Sequence, residues 1–246
     1  MTSRTNGTEM REQIVFMPGL LCDGSVFTHQ IAALSRHADV KVADFLGQDS
    51  IEGMARQALG LFDGPVSLVG FSMGGRAALQ AIRLQPERVR RLCLMDTGAT
   101  PARENESETR KPLVDLAYAE GMGALAARWL PPMLHIDRER DPVLIDPLTA
   151  MVKRATPEQH ARQIQALLSR PDARPVLPGI RCPVLVMVGR QDRWSTLAQH
   201  EEMAAAISGA ELAVIEEAGH FVSVERPEAV TRALMRWFGF ERAEAA

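Results

Sequence analysis

Three features of the 246-residue sequence predict an α/β fold with a mainly parallel central sheet and helices on both faces. Apolar runs of strand length alternate with amphipathic runs of helix length, which is the pattern of βαβ units. The strand runs are almost continuously apolar, as strands buried on both faces require. The alternation fails only between Thr97 and Gly179, where helical patterns stand with no strand among them. The expected organisation is therefore a core formed by 1–96 and 180–246, carrying a helical cap, 97–179, inserted after the strand that ends near Asp96.

Taken in order, Ile14 to Met17 is the first strand, closed by the turn Pro18-Gly19-Leu20-Leu21. Val26, Phe27, Ile31 and Leu34 recur at helical spacing and predict a helix from about Ser25 to His37. Val40 to Ala43 is a short strand. Ser50 is placed to cap a helix over Ile51 to Phe62, which Asp63-Gly64-Pro65 ends. Pro65 to Val69 reads as a buried strand, and Arg76 to Gln85 as the helix behind it. Leu92 to Met95 is the next strand.

Inside the insertion, Thr97 to Lys111 is polar. Leu113 to Leu130 reads as a helix weakened by Gly121 and Gly123. Two further helices are expected over Asp146 to Ala155 and Pro157 to Leu168, the second capped by Thr156. Pro171, Pro175 and Pro178 suggest an extended return. Val184 to Val188 then resumes the strands, Ala198 to Ile207 the helices, and Leu212 to Ile215 is the last strand. Pro227 opens a final helix to about Phe238.

Composition narrows the function. The net charge is −3, with no basic surplus for nucleic acid and no Lys/Arg block for a membrane surface. No apolar run reaches the length of a membrane span. Cys22, Cys93 and Cys182 are too few and too scattered for a metal cluster or a disulfide framework. Met1 to Gln13 lacks the apolar core of a signal peptide. A cytoplasmic protein without metal or cofactor is the expectation, its oligomeric state open.

The most informative stretch is Gly70-Phe71-Ser72-Met73-Gly74-Gly75, a Gly-x-Ser-x-Gly motif between a strand and a helix. In that context it reads as a nucleophile elbow, a tight turn that lifts the Ser72 hydroxyl clear of the sheet. The amide of Met73 and the positive end of the following helix then face whatever Ser72 attacks. Ligands of parallel sheets meet the carboxyl ends of the strands. Ser72, Asp192 and His220 each stand just past such an end.

With these residues the chain resembles the α/β-hydrolase superfamily, and within it small bacterial esterases and enol-lactonases. The resemblance runs from Ile14 to Phe238. It rests on the elbow, on Gly189-Arg190-Gln191-Asp192, on Ala218-Gly219-His220, and on their order. It implies a serine hydrolase with Ser72 as nucleophile, His220 as base and Asp192 as acid. Asp96, also at a strand end, is the rival for the acid, because some hydrolases of similar fold place it there. The superfamily usually carries His-Gly before the second oxyanion donor. Here Pro18-Gly19 stands instead, leaving Leu20 as the donor beside Met73 and Leu21 as second choice.

The insertion is expected to shape the substrate pocket, with Leu21, Trp129 and Trp194 as candidate contacts. Leu113, Leu116, Tyr118, Met122, Leu125, Leu130, Met133 and Leu134 are further candidates, although packing against the sheet is the plainer reading for most of them. Arg103, Arg110 and Lys111 are candidates to meet a carboxylate, with a solvated face as the plainer reading. His29, His37, His135, His160 and His200 lack catalytic partners in the pattern, and His200 reads as a helix-surface residue. The expected substrate is a small to medium carboxylic ester or lactone. A carbon–carbon bond hydrolase on the same triad and a non-catalytic small-ligand receptor are the alternatives. A haloalkane dehalogenase is disfavoured, since it needs Asp where Ser72 stands.

Overall fold

A computed structural model describes residues 11–240. Residues 1–10, the polar start of the chain, and 241–246 of the expected core lie outside the described residues. Six strands form one parallel sheet: β1 (Glu12–Met17), β2 (Ala38–Val42), β3 (Val66–Phe71), β4 (Val89–Met95), β5 (Val184–Gly189) and β6 (Glu211–Ile215). Their order is β2-β1-β3-β4-β5-β6. All residues of β3 and β5 are buried, whereas the edge strands β2 and β6 expose part of theirs. Burial on both faces is what makes the central strands read as unbroken apolar runs.

The helices of the core are α1 (Thr28–Leu34), α2 (Ile51–Leu59) and α3 (Met73–Leu84). Between β4 and β5 stand α4 (Glu106–Trp129), α5 (Pro142–Val152) and α6 (Pro157–Leu168), with no strand among them. Then come α7 (Leu197–Ala205), the short α8 (Val222–Glu225) and α9 (Pro227–Phe238). Capping follows the sequence. The Ser50 side chain accepts from the amide of Gly53, and Thr156 forms a reciprocal capping box with Gln159.

Several boundaries differ from the sequence reading. α4 begins at Glu106 rather than near Leu113, because the Glu106 carboxylate is held by Arg170 and Arg110 and tertiary ion pairs outweigh the polar composition. Gly121, at φ 83° and ψ 173°, breaks α4. The expected extended return is in part a 3-10 segment over Arg174–Gly179, compatible with the fixed φ of Pro175 and Pro178.

The strand order changes direction between β1 and β3. β2 lies to one side of that pair, and β4, β5 and β6 to the other. A crevice opens at the carboxyl ends of strands where the order reverses. The turn after β1 and the turn after β3 flank that crevice, and they carry Leu20 and Ser72.

Candidate active site

Ser72 sits at φ 52° and ψ −113°, a left-handed backbone that a serine rarely adopts. Such a residue costs about 1–3 kcal/mol and persists only where its surroundings enforce it. Two glycines make the turn possible. A side-chain carbon on Gly70 would lie 2.6 Å from Gly75 Cα, and one on Gly74 would run into the Met17 carbonyl. The β3–α3 connection therefore packs backbone on backbone against the end of β1.

The turn aims Ser72 at His220. Ser72 Oγ lies 2.9 Å from His220 Nε2, and His220 Nδ1 lies 2.8 Å from Asp192 Oδ2. Three side chains from three strand ends thus form one hydrogen-bonded line. His220 is 4% exposed and its ring packs on Phe71 at 5.4 Å between centroids. Its amide donates to the Met133 carbonyl at 2.7 Å, so the inserted segment helps to hold the histidine loop. Glu225 supports the same loop, accepting from the amides of Gly219 at 2.9 Å and His135 at 2.8 Å.

Asp192 and Asp96 share a neighbourhood but not an environment. Burial pushes the Asp192 carboxyl upward, but the charge and hydrogen bond of His220 and the amides of Ser195 and Trp194 outweigh it. The net shift is downward. Asp96 is fully buried and touches neither Ser72 nor His220 through a hydrogen bond. Its Oδ1 accepts from the Gly189 amide at 2.9 Å and its Oδ2 from the Val222 amide at 3.3 Å. Burial first, then the charge of Asp192, raises its pKa well above the usual carboxylate range. Asp96 therefore ties the ends of β4 and β5 to the loop after His220, rather than bonding amides of its own turn.

The amides of Met73 and Leu20 have no hydrogen-bond partner among the described residues, and both residues line the cavity above Ser72. The cavity holds about 350 Å³. Leu21 is a correction to the sequence reading. Its side chain is buried away from the cavity, and its amide donates to Gln163 Oε1 at 2.8 Å, which leaves it neither a donor nor a substrate contact. Leu21 adopts φ 57°, so the turn after β1 is itself unusual.

Gln163 is the residue that sequence reasoning missed. It is fully buried on α6, and its Nε2 donates to the Phe45 carbonyl at 3.0 Å while its Oε1 holds Leu21. A helix of the insertion thereby braces the turn that lacks the usual histidine. No sequence signal singled it out, since Gln in a helix reads as surface. His200 is a second correction. It is fully buried, its Nε2 accepts from the Thr97 amide at 3.0 Å, and its other ring nitrogen meets the Thr196 carbonyl.

Of the other expected contacts, Trp129 and Trp194 line the cavity, the first buried and the second half-exposed. Leu113 and Met133 join them, while Leu125, Leu130 and Leu134 are packed in the core and Tyr118 faces solvent. Arg103 and Arg110 line the cavity. Lys111 does not: it is exposed and pairs with Asp115. Among the described residues no cluster of His, Cys, Asp or Glu is arranged to hold a metal ion, and no helix is long and apolar enough to cross a membrane.

The model of the alpha/beta hydrolase family matches residues 14–233. A thermophilic esterase from Thermogutta terrifontis superimposes with a TM-score of 0.85 at 28% identity, over 97% of this chain and 96% of that one. The enol-lactonase from Burkholderia xenovorans LB400 does so with a TM-score of 0.84 at 30% identity, over 96% and 94%. Among curated proteins, the polyketide synthase ThaQ of Burkholderia thailandensis is 29% identical over 91% of this chain. The chain spans only 12% of that protein's length.

Proposed function

The chain belongs to the alpha/beta hydrolase family, and from that premise we propose that it is a serine hydrolase cleaving a carboxylic ester or lactone of a small to medium molecule. The reading rests on one observation, the unbroken line of hydrogen bonds from Ser72 through His220 to Asp192. Its chemistry is acyl transfer in two steps. His220 Nε2 takes the Ser72 proton as Oγ attacks the carbonyl carbon. The carbonyl oxygen becomes an oxyanion, met by the amides of Met73 and Leu20. His220 then returns the proton to the departing alkoxide, leaving an acyl group on Ser72. Water, deprotonated by the same nitrogen, releases the acid and restores the serine.

Asp192 keeps the proton of His220 on Nδ1, so that Nε2 is free to accept, and stabilises the imidazolium. In this reading the inserted segment 97–179 is a cap: it closes one wall of the cavity with Trp129 and Met133 and braces the oxyanion turn through Gln163. A panel of p-nitrophenyl esters and lactones of graded acyl length tests the proposal. Turnover of at least one class is expected, and Ser72→Ala abolishes it. Undiminished turnover in that variant would assign the nucleophile elsewhere.

A further inference from the structure

The lining of the cavity above Ser72 is in part apolar and in part strongly basic. Arg76, Arg103, Arg110 and Arg170 line it, against a single carboxylate, Glu106. Two of the four are already occupied. Arg170 is buried and makes a bidentate pair with Glu106, 2.7 Å for each oxygen, while its remaining N–H groups reach the carbonyls of Thr100, Pro101 and Leu167. Arg110 Nε and Nη2 both meet Glu106 Oε1, each at 2.8 Å. The one anion is thus shared by two cations, which leaves the wall with excess positive charge.

Of the other two, Arg103 is exposed, and Arg76 is the half-buried member with capacity to spare. A guanidinium has five N–H donors. Arg76 uses one, from Nη1 to the Thr100 carbonyl at 2.8 Å, and makes no ion pair among the described residues. It is half-buried, and burial first, then the charge of Arg170, lowers its pKa to about 9 against the opposing charge of Glu106. Gly98 leaves its seat open: a side-chain carbon there would stand 3.2 Å from Arg76 Nη2. The same cavity is lined by His160, buried and with its Nδ1 unpartnered among the described residues, whose pKa burial and then Arg110 lower to about 4.

Arg76 lines the same cavity as Ser72 and His220. Arg76 lies on α3 four residues past Ser72, one helical turn or about 6 Å along the axis. Its amide reaches back to the Ser72 carbonyl at 3.3 Å. We propose that Arg76, with Arg103 lining the same cavity, binds a free carboxylate on the substrate, so that the ester or lactone taken at Ser72 is one carrying a second acid group. This rests on the hydrolase reading of the same site. A planar guanidinium with free N–H groups suits a carboxylate in two-point contact, and a neutral ligand of the same length leaves that cation unpaired.

The test compares two ligands of equal length, monomethyl adipate and methyl hexanoate, by calorimetric titration into the Ser72→Ala protein. The expected result is at least tenfold tighter binding of the acid, a preference that shrinks as sodium chloride is raised. Arg76→Gln, which keeps a donor for Thr100, is expected to erase most of the preference, and Arg76→Lys to restore part of it. Equal affinities, absence of binding by both, or a preference unchanged in a folded Arg76→Gln protein overturns the proposal. Should Arg76→Gln not fold, the comparison of the two ligands on the Arg76 protein decides alone. The hydrolase reading fails separately: monomethyl adipate bound tightly but left intact by the protein with Ser72 would remove that reading and keep the acid site.

Discussion

Two carboxylates stand at neighbouring strand ends, and their surroundings divide the work between them. Asp192 meets His220 and is held below the usual carboxylate range; Asp96 meets only backbone amides and is pushed above it. Asp192→Asn is therefore expected to lower kcat by as much as about 10⁴-fold, since it favours the wrong tautomer of the histidine. Asp96→Asn is expected to cost far less in kcat and to show mainly as a lower Tm. The reverse ranking would move the acid to Asp96. The choice between them was legible in the sequence only as an order of residues, Ser then acid then His. What the sequence did not carry was the hydrogen-bond partner of each, which depends on how the β5 and β6 turns fold back. His200 escaped for the same reason: a histidine on a helix looks solvated until the strand-end loop that buries it is known.

At the scale of elements, the strands and helices of the core were readable because burial on both faces leaves an apolar signature. Their first residues were not, because ladder hydrogen bonds are made by the backbone and extend into polar residues such as Glu12, Gln13 and Arg91. The inserted helices were harder. α4 is organised by the Glu106 ion pairs, which join residues distant in sequence. Burial resists the charge of Glu106, but its arginine bonds prevail and hold its pKa at about 2 against an ordinary 4.5. A depressed acid contributes stability above its unfolded pKa and loses it as the pH falls through the folded value. Melting between pH 6 and pH 3 should thus show a smaller loss of Tm for Glu106→Gln than for the wild-type chain, from a lower starting point; parallel curves would deny the ion pairs that role. On α6, Gln163 links the insertion to the turn after β1. Gln163→Leu is expected to reduce kcat by up to about 100-fold with little change in KM, because in the proposed mechanism the amide of Leu20, next to the Leu21 that Gln163 holds, is used in the transition state. A variant that melts lower but turns over normally would make Gln163 a packing residue alone.

For the molecule as a whole, a parallel sheet whose order reverses between β1 and β3 brings together turns that are far apart in the chain. The turns after β1, β3 and β5 and the loop of His220 all gather at the carboxyl ends of the strands, and the inserted helices lie beside them. Activation of the Ser72 hydroxyl by the histidine beside it is read out by intact-mass and peptide mapping after treatment with a fluorophosphonate. One adduct is expected, on Ser72, formed rapidly in the wild-type protein and greatly slowed in His220→Gln. No adduct, or an adduct at another residue, would contradict it.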